Sequence, residues 1–599
     1  MGGINPLNNL SEQQKKAVQH PAGPILIAAG AGSGKTHTLT SRLAHLLKSG
    51  VRPENIIAIT FTNKAAKEMR SRVNGQGSIV NSLFIGTFHS LGVQILKNEA
   101  GLVNRSRNFT IFDEDDSQSL LKNILKELNL AKEKFNPMKV SNRISQIKNE
   151  VLDDDELKPE NSYEKIILSV YAKYEEALKQ YNAFDFDDLI EKVVRIFRNH
   201  PEILEKYQNR WQQILVDEYQ DVNTSQYLLI RMLAQKHQNL FVIGDDAQSI
   251  YSFRGSDFRN FLNFDTDWPT AAVIKLEENY RSTKNIIASA SALIQNNKLQ
   301  KPKGLWTQNQ EGSLIRVSAY QSPEEEAWSI AEKIRELLKA GENIKDIAIL
   351  YRTNAQSRAL EQAMIQNQIP YEIFGGLKFY ARKEIKDLIA GLRYATNPKD
   401  SLSAERIVKN FTKTQSKALL EELPRLAGEL SIIELLNYIL TNTNYFEYLE
   451  THFKNPDERR ENIKELIHFA SGFKNAQEFL EQIALVSSLD GRPKLEENAV
   501  KFMSIHLAKG LEFNNIFIAG ANEGLLPHER SLGNNDDLEE ERRLMYVAMT
   551  RAKKNLFIGF YDLPSRFLGE LPPELIEFQK TTSYGTENRD WDDETIYLE

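Results

Sequence analysis

The chain has 599 residues, several times the roughly 100 to 200 of one domain, so about three to five structural units are expected and a single small binding module is excluded. Hydrophobic residues at 41% and charged residues at 26% mark a globular chain, and the absence of cysteine removes disulfides, thiolate zinc sites, iron–sulfur clusters and Cys nucleophiles. Lys and Arg total 75 against 82 Asp and Glu, a net charge of −7, so nucleic-acid binding would have to use local patches and stacking rather than bulk charge.

Short apolar runs followed by helical pattern occur at Ile25 to Ala29, Ile56 to Thr60, Leu83 to Thr87, Ile214 to Asp217, Leu240 to Gly244 and Val273 to Leu276. Alternation of buried-type strands with helices predicts a parallel α/β sheet. A second series follows at Ile315 to Ala319, Ile347 to Tyr351, Tyr371 to Phe374, Val500 to Ile505, Ile516 to Ala519 and Leu556 to Phe560, which predicts a second α/β domain. Each series is interrupted by a stretch with helical periodicity only. Leu120, Leu121, Ile124, Leu125 and Leu128 set the pattern in the first, and Ile432, Leu435, Leu436 and Ile439 in the second. The expected divisions are 1–111 with 188–274 for the first α/β domain, 112–187 for its helical insertion, 275–391 with 498–572 for the second domain, and 392–497 for its insertion. Residues 573–599, which include Glu587, Asp590, Asp592, Asp593, Glu594 and Glu599, are expected to form an acidic, flexible tail. No run reaches the roughly 18 apolar residues of a membrane span, and Met1 to Leu10 lack the basic start and apolar core of a secretory signal; a cytoplasmic protein with no membrane partner is expected.

The strongest local signal is AGAGSGKT, Ala29 to Thr36, between a strand and a helical run. Gly30, Gly32 and Gly34 let backbone N–H groups close around phosphate oxygens, together with those of Ala31 and Ser33. Lys35 supplies a point charge to the outer phosphates, and the Thr36 hydroxyl can ligate Mg²⁺. ATP and Mg²⁺ are the cofactors this pattern calls for. The strand Ile214 to Val216 runs into Asp217, Glu218, Tyr219, Gln220 and Asp221; there Asp217 is placed to hold the metal and Glu218 to polarise the attacking water.

With the loop, the acidic box, IGDDAQSIYSFRG, LEENYRST, SIHLAKGLEF and EEERRLMYVAMTRAKK, the chain closely resembles the UvrD/PcrA/Rep family of superfamily 1 DNA helicases, from Leu10 to about Leu571. The resemblance implies two RecA-like P-loop NTPase domains with parallel sheets, each interrupted by a mainly helical insertion. It also implies ATP between the two domains, single-stranded DNA across their top and 3′ to 5′ movement. Carried over by motif, Gln14 reads adenine, Tyr280 stacks on the base, Glu512 contacts the ribose, Gln248 senses the γ-phosphate, and Arg281 and Arg551 are arginine fingers. The same resemblance assigns a DNA track to Phe61, Phe88, His89, Tyr251, Phe253, Arg254 and His506, with phosphate contacts from Thr62, Asn63, Thr87, Arg352, Asn354 and Arg358. Rings at strand ends suit stacking that is indifferent to base sequence.

The chain departs from the family pattern at Phe253, where Trp is usual, and at His37, where Arg is common. Its second insertion is shorter than in well-known members and lacks a Gly-Ile-Gly turn after NPKDSLSAERIV. The chain ends soon after PSRFLGELP, so no added C-terminal module is expected. The implied function is an ATP-dependent 3′ to 5′ DNA helicase in repair or replication restart. It would act as a monomer on single-stranded and tailed duplex DNA, with repair or replication accessory proteins. The alternative is a translocase that strips proteins from single strands or needs a partner to unwind; a non-motor ATP switch and an RNA substrate are further readings.

Overall fold

The computed structural model describes residues 7–73, 82–130, 135–152, 157–159, 161–374, 379–398, 400–453, 455–480, 483 and 498–580. Fifteen strands occur among them: β1 (Ile25–Ala29), β2 (Ile56–Thr60), β3 (Phe84–Thr87), β4 (Thr110–Ile111), β5 (Ala183–Phe184), β6 (Gln213–Val216), β7 (Leu240–Gly244), β8 (Ala272–Leu276), β9 (Ile315–Ala319), β10 (Ile347–Tyr351), β11 (Tyr371–Ile373), β12 (Val500–Ser504), β13 (Phe513–Ile518), β14 (Ala552–Phe560) and β15 (Ile576–Lys580). Every strand-like run read from the sequence is among them, within a few residues at each end.

The first sheet is parallel in the order β3-β2-β6-β7-β1-β8. β1, β2 and β7 are buried along their whole length, because helices cover both faces and an apolar side chain is stable in either direction. The edge strand β8 alternates instead, with Val273 and Lys275 exposed. Three neighbours, β6, β7 and β1, bring to one rim segments that lie far apart in the chain: residues 29–36, 217–221 and 245–248. The carboxyl ends of parallel strands where the order reverses are where such sheets bind ligands.

The second sheet is also parallel, in the order β11-β12-β10-β13-β14-β9-β15. β15 corrects the expected tail, since residues 576–580 pair with β9 from Ile576 opposite Ile315 to Lys580 opposite Ala319. Alternating Ile576 and Phe578 suffice for an edge strand, and Phe578 meets Phe560 with ring centroids 6.3 Å apart. The remainder of the expected tail, 581–599, lies outside the described residues.

The first insertion consists of helices Glu114–Glu127, Pro137–Glu150 and Ser162–Gln180, closed at its base by β4 paired with β5. Leu121, Ile124, Val140, Ile144, Ile167 and Val170 form its core, at the spacing that puts them on one face of each helix. The second insertion starts earlier than residue 392. Helix Lys383–Thr396 buries Ile385, Leu388, Ile389 and Leu392 against Leu435, Leu436 and Ile439 rather than against the sheet. Gly391 permits this approach, because a Cβ there would stand 2.5 Å from Ile439 Cδ1. The insertions meet where the Asn136 amide donates to the Glu450 carbonyl. No helix among the described residues is long and apolar enough to cross a membrane.

Candidate active site and nucleic-acid interface

β1 delivers the chain to a loop that ends in helix Lys35–Lys48, whose Leu39, Leu43 and Leu46 pack against the sheet. Gly32 (φ 65°) and Gly34 (φ 83°) both take the left-handed conformation that side chains disfavour, and the Ser33 hydroxyl closes the turn by donating to Gly30 O at 2.8 Å. A Cβ at Gly32 would also stand 2.5 Å from the Asn279 amide nitrogen. The loop is thus shaped by glycine for close approach of other groups to its backbone. Thr36 follows Lys35 in the first helical turn.

The acidic box emerges from β6. Asp217 is buried and accepts the Glu218 N–H at 3.0 Å. Glu218 itself has φ 51°, a left-handed conformation that costs a non-glycine residue roughly 1–3 kcal/mol and is typical of functional sites. That backbone turn presents its carboxylate 3.6 Å from Lys35 Nζ, and Gln220 Nε2 donates to the same oxygen at 2.6 Å. The two carboxyls are pushed apart: burial and the neighbouring Glu218 charge raise Asp217, while Glu218, against its own burial, is held well below the usual carboxylate range by Lys35 and Lys509. Glu218 therefore stays an acceptor. Oxygen donors from Thr36 and Asp217 suit Mg²⁺, a hard cation that takes few protein ligands and completes its shell from phosphates and water. A bound cation would also favour the ionised form of Asp217 that burial opposes.

Gln14 caps its own helix through Oε1, which accepts the Ser11 N–H at 2.9 Å, and its Nε2 donates to Ser33 O at 2.9 Å. It adjoins the loop, with both ends of its amide bound to backbone. Tyr280 is 48% exposed beside the loop; its backbone N–H donates to Gly32 O at 3.0 Å and its hydroxyl donates to Glu278 Oε2 at 2.7 Å. Glu512 forms ion pairs with Arg281 and Lys553, each at 2.7 Å.

Across the cleft, Arg551 is fully buried; Nε donates to Val547 O at 2.9 Å and Nη2 to Gln248 Oε1 at 3.3 Å. Burial and nearby Arg281 push its pKa down to about 9. Arg281 reaches Thr550 O at 3.0 Å, so both guanidiniums flank the same turn. Sequence reasoning missed three residues that hold this junction together. Asn279 donates to Ala31 O at 2.7 Å and accepts the N–H groups of Arg281 and Ser282 at 2.8 Å. Lys509 donates to Asp221 Oδ2 at 2.5 Å and Gln248 O at 2.7 Å. Lys303 binds Asp245 at 2.8 Å and also Asp246. Lys509 lies inside SIHLAKGLEF and Asn279 inside LEENYRST, so position within a motif was a signal for those two; nothing local marks Lys303.

Next to this site the rings form a continuous strip. Phe61 stacks on Tyr251 (5.8 Å, 5°), Tyr251 meets Phe253 edge-on (6.0 Å), and Phe253 meets His506 edge-on (5.6 Å). Phe253 is 66% exposed. His89 packs on Phe186 at 5.0 Å, and Phe186, 55% exposed and absent from the sequence reading, extends the set of rings that bases could stack on. Arg254 closes the turn Ser252–Arg254, and its side chain lies outside the described ones. Thr62 and Asn63 are exposed at a helix start, where the Thr62 hydroxyl accepts the Ala65 N–H at 3.1 Å.

Several expected track residues are placed otherwise. Phe88 is buried in the core, because Phe88, Leu91 and Ile95 form the inward stripe of helix Phe88–Glu99. Thr87 caps that helix, its hydroxyl accepting the Ser90 N–H at 3.2 Å. Arg358 is fully buried, ion-paired with Glu324 and Glu465 and lying over the Phe469 ring at 4.1 Å, so that it joins helices of the second domain to the second insertion. Arg352 is held bidentate by Glu541 (2.7 and 3.1 Å), and the Asn354 amide donates to Glu458.

A family model described as UvrD/REP helicase N-terminal domain matches residues 10–269, and one described as UvrD-like helicase C-terminal domain matches residues 274–458 and 440–562. The chain is 40% identical over 648 residues to ATP-dependent DNA helicase PcrA of Bacillus subtilis, covering 96% of this chain and 87% of the relative. ATP-dependent DNA helicase PcrA of Staphylococcus aureus is 39% identical over 640 residues, covering 95% and 87%. The protein of the same name from Staphylococcus epidermidis matches to the same extent.

Proposed function

The chain belongs to the UvrD/REP helicase family, and from that premise we propose that it is an ATP-dependent DNA helicase that moves 3′ to 5′ on single-stranded DNA and opens duplexes during repair or replication restart. The observation that carries this reading is the meeting of Lys35, Glu218, Gln248, Arg281 and Arg551 across one interdomain cleft, directly beside the aromatic strip. Loop N–H groups and Lys35 bind the phosphates, and the exposed Tyr280 ring offers the base a stacking face. Thr36 and Asp217 would hold Mg²⁺, which would supply charge neutralisation at the outer phosphates. Glu218, kept ionised, accepts a hydrogen bond from the attacking water and orients it, while Arg281 and Arg551 place fixed positive charge where the transferring phosphoryl group becomes more negative.

Coupling to DNA is short-range. Lys509 touches Asp221 and Gln248 and also lies 4.8 Å from the Tyr251 ring centroid, so closure at the nucleotide is felt at the strip. Strand displacement with ATP and Mg²⁺ on duplexes bearing a 3′ tail, a 5′ tail or no tail tests the proposal. Opening of the 3′-tailed duplex alone is expected. ATP consumption without opening would favour the translocase reading, and opening from the 5′ tail would refute the polarity.

A further inference from the structure

Helix Lys284–Ile294 packs in the core of the second domain, yet the chain after it turns back over the first. There Trp306 donates its N–H to Glu277 O at 3.0 Å and Asn279 donates its N–H to Trp306 O at 2.8 Å, fixing the segment to the interdomain connection. Leu305 lies on the phosphate loop so closely that a Cβ at Gly30 would stand 2.0 Å from Leu305 Cδ2. Two residues earlier, Lys303 enters the rim of the first sheet at the end of β7, with only 5% of its side chain exposed.

The ammonium of Lys303 donates to Asp245 Oδ1 at 2.8 Å and to the Asp246 carboxylate. The other oxygen of Asp245 accepts from Gln248 Nε2 at 2.6 Å, and Gln248 Oε1 then faces Arg551 Nη2 at 3.3 Å. Four groups from both domains thus stand in line: Lys303, Asp245, Gln248, Arg551.

We propose that Lys303 is a positioning residue for the nucleotide site: by keeping Asp245 a carboxylate, it dictates which end of the Gln248 amide meets Arg551. A carboxylate only accepts hydrogen bonds, so it requires Nε2 on its side and turns Oε1 toward the guanidinium, which only donates. Without the ammonium, the fully buried Asp245 loses the cation that most offsets its desolvation, with or without a charge on Asp246. A protonated Asp245 could donate to Oε1, which would let the amide turn and set its N–H groups against those of Arg551. Burial works against the charge on Asp245, and Lys303 is the foremost group that nevertheless holds it below the usual carboxylate range. Lys303 therefore acts through Asp245 and Gln248, not by contact with phosphate. The inference rests on the helicase reading above, since it assigns Gln248 and Arg551 to phosphate chemistry.

ATP turnover on oligo-dT, with kcat and KM separated and melting temperature followed in parallel, tests it in the wild type, Lys303→Met, and Lys303→Met combined with Asp246→Asn. The double variant removes one carboxylate along with the ammonium, which restores the pocket's net charge and guards against a single variant that fails to fold. The expected result is a kcat lowered by about 100-fold in both variants, KM for ATP within about threefold of wild type, and a melting temperature recovered in the double variant. Wild-type kcat in either folded variant would overturn the inference, as would a fall in activity that tracks melting temperature alone. An inactive wild type would overturn the proposed function and this inference together, whereas an active wild type beside equally active variants would overturn the inference only.

Discussion

Arg358 carries a full charge into a buried position, where Glu324, Glu465, the Gln362 amide oxygen and the Phe469 face compensate it. Removing one side of a buried pair leaves the other uncompensated, at a cost of about 3–5 kcal/mol. Arg358→Met is therefore expected to lower the melting temperature sharply and leave the single-strand affinity of the folded fraction unchanged; calorimetry and fluorescence anisotropy check the two halves. Glu326 is the opposite case. It is buried, accepts the Gly520 N–H at 2.8 Å, and is pushed up to about 8 by burial, the Gly520 donor offsetting this only in part. A folded pKa above the unfolded one means that the native state binds the extra proton, so this group's stabilisation is complete below about pH 4.5 and is lost as pH rises toward 8. Glu326→Gln should flatten the fall in melting temperature across that window, and an unchanged pH profile would remove Glu326 as its source.

At the scale of elements, what matters is which face of a helix or turn a ring occupies. Phe253 sits within a tight turn that leaves it outside, whereas Phe88 opens a helix whose inward stripe continues through Leu91 and Ile95. The two substitutions Phe253→Ala and Phe88→Ala should therefore separate cleanly. The first is expected to weaken single-strand binding by about 1–3 kcal/mol with no loss of stability. The second should cost about 3–5 kcal/mol of stability. Anisotropy titrations on oligo-dT beside thermal melts distinguish them, and Phe186→Ala should follow Phe253. Strand runs were readable because a parallel sheet covered on both faces needs continuous apolar residues, a signal that does not depend on what the strand pairs with. The start of the second insertion was not readable, because helix Lys383–Thr396 would look equally apolar whether packed on a sheet or on Leu435 and Ile439.

Across the whole molecule, Lys509 is the one described side chain seen to touch the acidic box, the Gln248 backbone and the aromatic strip together. Lys509→Ala is expected to leave each ligand's separate binding within about threefold while removing most of the DNA stimulation of ATP turnover, consistent with coupling energies of about 1–3 kcal/mol. Nucleotide affinity measured with and without oligo-dT reports this directly; an unchanged ratio would assign the coupling to other contacts. The sequence by itself determined the two-sheet α/β plan, the helical insertions, and the site segments Ala29 to Thr36 and Asp217 to Asp221, because each is a local demand: glycines where φ must be positive, carboxylates at a strand end, apolar runs where both faces are covered. Tertiary structure alone decided that Lys303 reaches Asp245 across 58 positions, that Asn279 binds a loop 248 positions away and that Lys509 meets Asp221 across 288. It also decided that Arg358 turns inward and that residues 576–580 close the edge of the second sheet. Ion pairs leave no periodic trace in the chain, since their partners are set by how domains pack and not by the residues beside them.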